Sequence, residues 1–302
     1  MILTYHMGKN FGDALNPIIF NRFLPGFFDD DPNELFLGIG SILGLKSGEK
    51  YPVKKIVFSS GYAAGQPGTY GALPVIDDSY DVICVRGPLT AELLKLSPDK
   101  AVADGALLVR DLVDYKQPKR FRCSFLLHHN SEHYFEWKDF LEAEGIHFIS
   151  TKGDPIGICN EIASSELVIA EAMHGAIVAD ALRVPWVPVN CYNTINNFKW
   201  TDFAASFDIK YEPVYLPGPF GSDFLLRIMK GKTNNALIQQ LGVFLKKTKS
   251  ALVNERKFSQ WLKTIPQEKT FLSNDTIWNS KYMQLLEKVD LVKSKYRNTV
   301  EK

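Results

Sequence analysis

Cysteine is scarce in this 302-residue chain: four residues, Cys84, Cys123, Cys159 and Cys191, stand far apart, with no CxxC pair and no Cys/His cluster at zinc spacing. That pattern excludes a disulfide scaffold and a structural zinc site, and it reads as buried free thiols of a reducing compartment. Charge of one sign is also lacking. With 35 Lys and Arg against 34 Asp and Glu, the formal net charge is +1, which supplies no broad field for nucleic acid or an acidic membrane. The basic pairs Lys54-Lys55 and Lys246-Lys247 read as solvated faces. No window approaches 18 consecutive apolar residues, and the opening MILTYHMGKN has no basic n-region followed by a long apolar stretch. These features predict a soluble cytoplasmic protein. Also missing are a GxGxxG fingerprint, a Walker sequence, an internal repeat of fixed period and any low-complexity segment, so dinucleotide and P-loop readings are weak.

What is present is alternation. Short apolar runs at Ile2 to Tyr5, Leu35 to Ile39, Ile56 to Phe58, Val82 to Val85 and Ala101 to Ala103 read as strands, with helices at Ala14 to Phe23 and Leu89 to Leu96. Around VDYKQPKRFR, Val113 to Arg122, apolar periodicity lapses into charge and a proline, which places a domain boundary there. A second series follows, with strands at Ser124 to Leu127, His147 to Ile149, Leu167 to Ala170 and Trp186 to Val189 and helices at Tyr134 to Glu144 and Ile156 to Ser164. The C-terminal part from Asn234 onward reads as largely helical, with amphipathic patterning in Ala236 to Leu252 and Tyr282 to Tyr296. The expected class is α/β: two Rossmann-like domains, 1–115 and 116–302, facing each other across a cleft, the second carrying terminal helices.

The densest chemical signal lies in SSELVIAEAMHGAIVADALRVPWVPVN, from Ser164 to Asn190. Its strand ends at Ala170, Met173-His174-Gly175 reads as a tight turn, and a helix of small residues runs from Ala176 to Leu182. His174 therefore falls at a strand's C-terminal edge, where open α/β sheets bind ligands, beside a helix N-terminus able to hold an anion. The bland alternative is a histidine hydrogen-bonded within a turn. Gly175 permits close approach, and Glu171, three residues upstream, is near enough to orient an imidazole or raise its pKa.

Other candidates occupy similar edges. After the first strand, HMGKNFGDALNP presents Lys9, Asn10 and Gly12, with Asp13 as the expected helix N-cap. Gly40, Gly61, Gly87 and Gly105 each follow a run; they are turn residues first, and together they would leave a cleft floor open. Arg86, before Gly87-Pro88, reads equally as an anion-binding fork or a structural ion pair. His128 and His129 end the first strand of the second series. Trp186, Tyr192, Phe198 and Trp200 cluster nearby, and Trp186 reads as core.

Taken in order, NFGDALNP, LGIGSIL, VRGPLTAELL, VADGALL, AEAMHGAIVADALRVPWVPV and FKWTDFAASF resemble the polysaccharide pyruvyl transferase family, especially its exopolysaccharide ketal-forming branch. The likeness covers roughly residues 1 to 210. It implies a GT-B-like fold and transfer of the enolpyruvyl unit of phosphoenolpyruvate onto two hydroxyls of one sugar, giving a cyclic ketal and phosphate. No metal or organic cofactor is implied, and the acceptor would be a saccharide repeat unit on a membrane lipid, so that the enzyme visits the inner membrane surface. By this resemblance His174 is the general acid or base; Glu171, as a carboxylate tuning it, and Asp13 are the further candidate catalytic residues. Many members carry an arginine two residues before the histidine. Here that position is Ala172, and Lys199, after the polar loop containing Asn193, and Arg86 are candidate replacements. Two other readings remain: a nucleotide-sugar glycosyltransferase of the same architecture, and a catalytically silent glycan-binding protein.

Overall fold

A computed structural model describes residues 1–8, 10–44, 53–65, 71–133, 136–191, 195–216, 255–265 and 269–296. Two all-parallel sheets organise them. The first contains β1 (Ile2–Thr4), β2 (Glu34–Leu37), β3 (Lys54–Ser60) and β4 (Tyr80–Val85), side by side in chain order. The second contains β5 (Ser124–Leu126), β6 (His147–Ile149), β7 (Val168–Ala170), β8 (Trp186–Asn190) and β9 (Val214–Tyr215), in the order β6-β5-β7-β8-β9. Strands covered on both faces carry continuous apolar runs, such as the fully buried Ile56-Val57-Phe58 of β3 and Val168-Ile169-Ala170 of β7. The expected α/β class and eight of the strand positions are therefore present. Ala101 to Ala103 is reduced to a single bridge between Ala101 and Val85, and β9 carried no sequence signal.

Helices α1 (Phe11–Phe23), α3 (Trp137–Ala143), α4 (Pro155–Ala163), α5 (Met173–Ala181) and α6 (Asn197–Ala205) make crossovers between strands of one sheet, and α2 (Pro88–Leu93) follows β4. Further on lie α7 (Glu255–Thr264) and α8 (Asp275–Tyr296), while the amphipathic stretch expected at Ala236 to Leu252 falls outside the described residues. One apolar cluster joins Phe20, Phe36 and Phe58 of the first half to Leu126, Ile177 and Trp186 of the second. Trp278, Leu285, Val289 and Val292 of α8 belong to the same cluster, and Lys295 at its end pairs with Asp81 of β4 at 2.6 Å.

Pro17 sits inside α1 and lacks the N–H that would bond the carbonyl of Asp13. Asn16 repairs the defect: its Nδ2 donates to that carbonyl at 2.9 Å. The same amide donates to the Ile39 carbonyl at 3.0 Å and accepts from the Ile39 N–H at 2.7 Å. One buried side chain thereby holds the start of α1 against the loop that follows β2.

A second buried side chain ties the halves together. Asp202 of α6 accepts from Arg86 Nε at 3.0 Å, from the Thr90 N–H at 3.0 Å and from Thr90 Oγ1 at 2.6 Å. Thr90 is in the first turn of α2, whose N-cap residue Gly87 has no side chain to offer. A Cβ built at Gly87 would collide with Asp202, so the glycine admits a cap delivered from another helix. Removing either member of a buried ion pair leaves an uncompensated charge. Asp202→Ala and Arg86→Met should each cost about 3–5 kcal/mol in urea unfolding, and Arg86→Met/Asp202→Leu together less than the sum of the single changes.

Candidate active site

The chain runs β5 outward to β6 and then back across to β7, so the second sheet changes winding direction between β5 and β7. The C-terminal edges at such a point are the usual ligand-binding crevice of open α/β sheets. Three segments meet there. The first turn of α5 carries His174, α1 begins with Asn10 and Gly12, and Asp104 caps the 3₁₀ turn Gly105–Asp111.

Met173-His174-Gly175 is the start of α5 rather than a separate turn. The extended backbone of Ala172 passes directly into helix, and Gly175 lets α5 press on Leu126, 3.1 Å from where a Cβ would stand. Ala172 has no side chain with which to cap α5, so the partial positive charge of the helix end is directed at the site. Gly12 lies against the imidazole so closely that a Cβ there would fall inside the ring of His174. His174 is 8% exposed, and its Nε2 stands 3.9 Å from Oδ2 of Asp104. Among the described residues neither of those two atoms has a hydrogen-bond partner.

The helix cap of α1 differs from expectation. Asn10 is the N-cap, accepting from the Gly12 N–H at 3.2 Å, because it directly precedes the first helical residue. Asp13 is in the first turn, where Asn10 Nδ2 donates to its Oδ2 at 2.8 Å. Gly40, with φ of 124°, brings its backbone against Asp13. Burial raises the Asp13 pKa, and the charges of His174, His6 and Lys199 oppose that rise. Burial pulls His174 down to about 4 against the attraction of Asp13, with the positive charges of Lys199 and Arg86 pushing it further down. Burial pushes Asp104 up to about 6, with Asp202 adding to the rise and the Ala106 N–H and Arg86 opposing it. Near neutral pH the imidazole is therefore uncharged and able to accept a proton.

Two expected site residues are engaged elsewhere. Arg86, fully buried, donates from Nε to Asp202, from Nη1 to Ser41 Oγ at 2.9 Å and from Nη2 to the Tyr62 carbonyl at 2.7 Å. It acts on the site through its charge, as part of the frame. Glu171, also fully buried, turns away from the imidazole: Oε2 accepts from the His128 N–H at 3.0 Å and Oε1 from the Cys191 N–H at 3.1 Å. It therefore pins the ends of β5, β7 and β8 together. The carboxylates beside His174 are Asp13 and Asp104. Lys199, in the first turn of α6, is close enough for its charge to bear on both Asp13 and His174. Lys9 and Asn193 lie outside the described residues, as does Tyr192. Trp186 and Trp200 are buried in the core, and Trp186 donates to Asp180 at 2.9 Å.

Sequence reading missed Asp104, Asn16 and Asp202 as organising residues. A signal existed for the first: an Asp-Gly after the apolar Ala101 to Ala103, the pattern of a helical cap. Asn16 and Asp202 reach partners 23 and 112–116 positions away, and no local pattern marks such bonds.

The polysaccharide pyruvyl transferase family model matches residues 23–192, which include Arg86, Asp104, Glu171 and His174. The chain belongs to the polysaccharide pyruvyl transferase family. The succinoglycan biosynthesis protein ExoV of Rhizobium meliloti (strain 1021) is 36% identical over 211 residues, covering 69% of this chain and 65% of that protein. The match thus spans slightly less than two thirds of the relative's length. Asn10, Gly12 and Asp13 precede the stretch matched by the family model and Lys199 follows it, so both flanks of the family segment contribute to the surroundings of His174.

The electrostatics make a direct prediction. A carboxylate near an imidazole favours its charged form, so Asp13→Asn should move the His174 titration below its value of about 4, while Glu171→Gln should leave it in place. Nitrogen-15 chemical shifts of the labelled imidazole, followed against pH, check both.

Proposed function

We propose that this protein transfers the enolpyruvyl unit of phosphoenolpyruvate to two hydroxyls of one sugar in a saccharide repeat unit, forming a cyclic pyruvate ketal and releasing phosphate. One observation carries the reading: a buried, neutral His174 stands at a helix N-terminus without a side-chain cap, facing Asp104 and within reach of the charges of Asp13 and Lys199. The donor is a phosphate and a carboxylate on an enol, so its site must attract anions and also move protons. In this reading the N-terminal turn of α5 and Lys199 receive the anionic groups, doing the work of the arginine that Ala172 replaces. His174 takes a proton from the attacking hydroxyl, and Asp13 stabilises the imidazolium that forms.

The wider reading follows the family. The two sheets are treated as the cores of two GT-B-like domains dividing near Val113 to Arg122, with the donor in the cleft between them. The relative's name refers to succinoglycan biosynthesis, which supports a polysaccharide precursor as acceptor. We assign that acceptor to a membrane lipid at the cytoplasmic face. Among the described residues no helix is long and apolar enough to cross a membrane, so this visit would be peripheral.

Incubation with phosphoenolpyruvate and a lipid-linked oligosaccharide, read by phosphate release and by mass spectrometry for the ketal adduct, tests the activity. Sugar binding without donor consumption would point to a silent glycan-binding protein, and consumption of a nucleotide sugar to a glycosyltransferase. His174→Gln should keep the fold and most donor binding while lowering turnover roughly 10²–10⁴-fold. Lys199→Ala should weaken donor binding by about 1.5–3 kcal/mol in calorimetric titration, the worth of a charge-assisted contact. Unchanged affinity there would assign the anion to helix N-termini alone.

A further inference from the structure

The reaction proposed above has a proton problem that a single histidine does not solve. Two hydroxyls each lose a proton, the methylene carbon of the donor gains one, and the departing phosphate gains one. Each half of the reaction therefore needs one group that gives and one that takes. The structure holds two such groups facing each other. Asp104 engages Oδ1 with the Ala106 N–H at 2.9 Å, leaving Oδ2 turned to Nε2 of His174 across 3.9 Å, and among the described residues neither facing atom has a hydrogen-bond partner. That gap is too long for a direct hydrogen bond and short enough for one substrate oxygen to contact both.

We infer that Asp104 is a catalytic residue, and that Asp104 and His174 exchange protons as a pair which returns to its starting state after each ketal is made. This rests on the pyruvyl transfer proposed above. In the first half, protonated Asp104 gives its proton to the methylene carbon while His174 takes one from the first sugar hydroxyl. A C–H bond and a C–O bond form, and the C–C double bond of the enol is lost. The pair is now carboxylate and imidazolium. In the second half, the bond from carbon to the phosphate oxygen breaks, with the electron pair leaving on phosphate and the His174 proton going to it. The second hydroxyl then closes the ketal and returns its proton to Asp104. Atoms and charges balance with no further acid or base.

The surroundings suit this cycle. Asp104 faces Arg86, Asp202, the Ala106 N–H and His174; His174 faces Asp13, Lys199, Arg86 and Asp104. Burial already moves the Asp104 carboxyl up to about 6 and the imidazole down to about 4, so each is shifted toward its uncharged form. An arriving anionic donor raises the Asp104 value further, favouring the protonated acid just when it is needed, and lifts the imidazole back toward the range in which it can take a proton.

Asp104→Asn retains the volume and the Oδ1 acceptor but not the acid proton. With phosphoenolpyruvate and a lipid-linked oligosaccharide, kcat should fall roughly 10²–10⁴-fold with little change in the donor KM, and the limb of the kcat profile set by this acid should vanish. Asp104→Glu, which keeps the acid, should recover about tenfold or more of the lost rate. Near wild-type kcat with an unmoved pH profile in Asp104→Asn would overturn the inference. A wild-type enzyme that forms no ketal would instead overturn the proposed function itself. If circular dichroism shows Asp104→Asn unfolded, the wild-type imidazole decides: coupling requires the His174 shift to register a step near 6 transmitted from Asp104 besides its own near 4. A single step with no inflection near 6 would refute the pair.

Discussion

The buried contact between Arg86 and Asp202 is the constraint on which the rest of the molecule depends. It joins the end of β4 to α6, and through Thr90 it also caps α2. A charge pair with no exposed surface is held only where its geometry is over-determined, and Arg86 has two further acceptors while Asp202 has two further donors. Lys199 lies three residues before Asp202 on the same helix. The position of its charge relative to His174 therefore follows from a bond made one turn further along α6.

The first half has a counterpart in Asn16. Proline in the interior of α1 would leave a carbonyl unsatisfied at the place where Asp13 must be rigid. A single carboxamide supplies the missing donor and fastens the helix to the loop carrying Gly40. Buried amides that answer several backbone groups at once stabilise a particular geometry more than they stabilise folding in general, since replacing them leaves several orphans together. Glu171 has the same role at the edges of β5, β7 and β8. The site is thus a set of titratable groups held by a surrounding set of polar side chains whose bonds are all internal.

Low dielectric governs what those titratable groups do. Water would leave an aspartate ionised and a histidine half-charged at ordinary pH; burial moves Asp104 and His174 in opposite directions, each toward neutrality. The chain's formal net charge of +1 fits the proposed arrangement, in which one lysine and helix ends, rather than a broad basic surface, would draw an anion.

By itself the sequence determined the local layer of this protein. Apolar runs of strand length, several of them followed by glycine, placed eight of the nine strands, and the segment between Ala170 and Ala176 singled out His174, since these signals are carried by residues adjacent in the chain. The resemblance to the family was legible in the same way, from short motifs in order. Tertiary structure alone decided which polar residues face the histidine. Glu171 is near His174 in sequence, yet it bonds to the backbone beside β5 and β8, and Arg86 looks like an anion clamp until Asp202 is seen against it. Asp104 and Gly12 are far from His174 in sequence and reach it because α5 packs against α1 and the Gly105–Asp111 turn. Periodicity records which face of an element is buried; it holds no record of what a buried polar group will meet there, because that partner is chosen by how the elements pack.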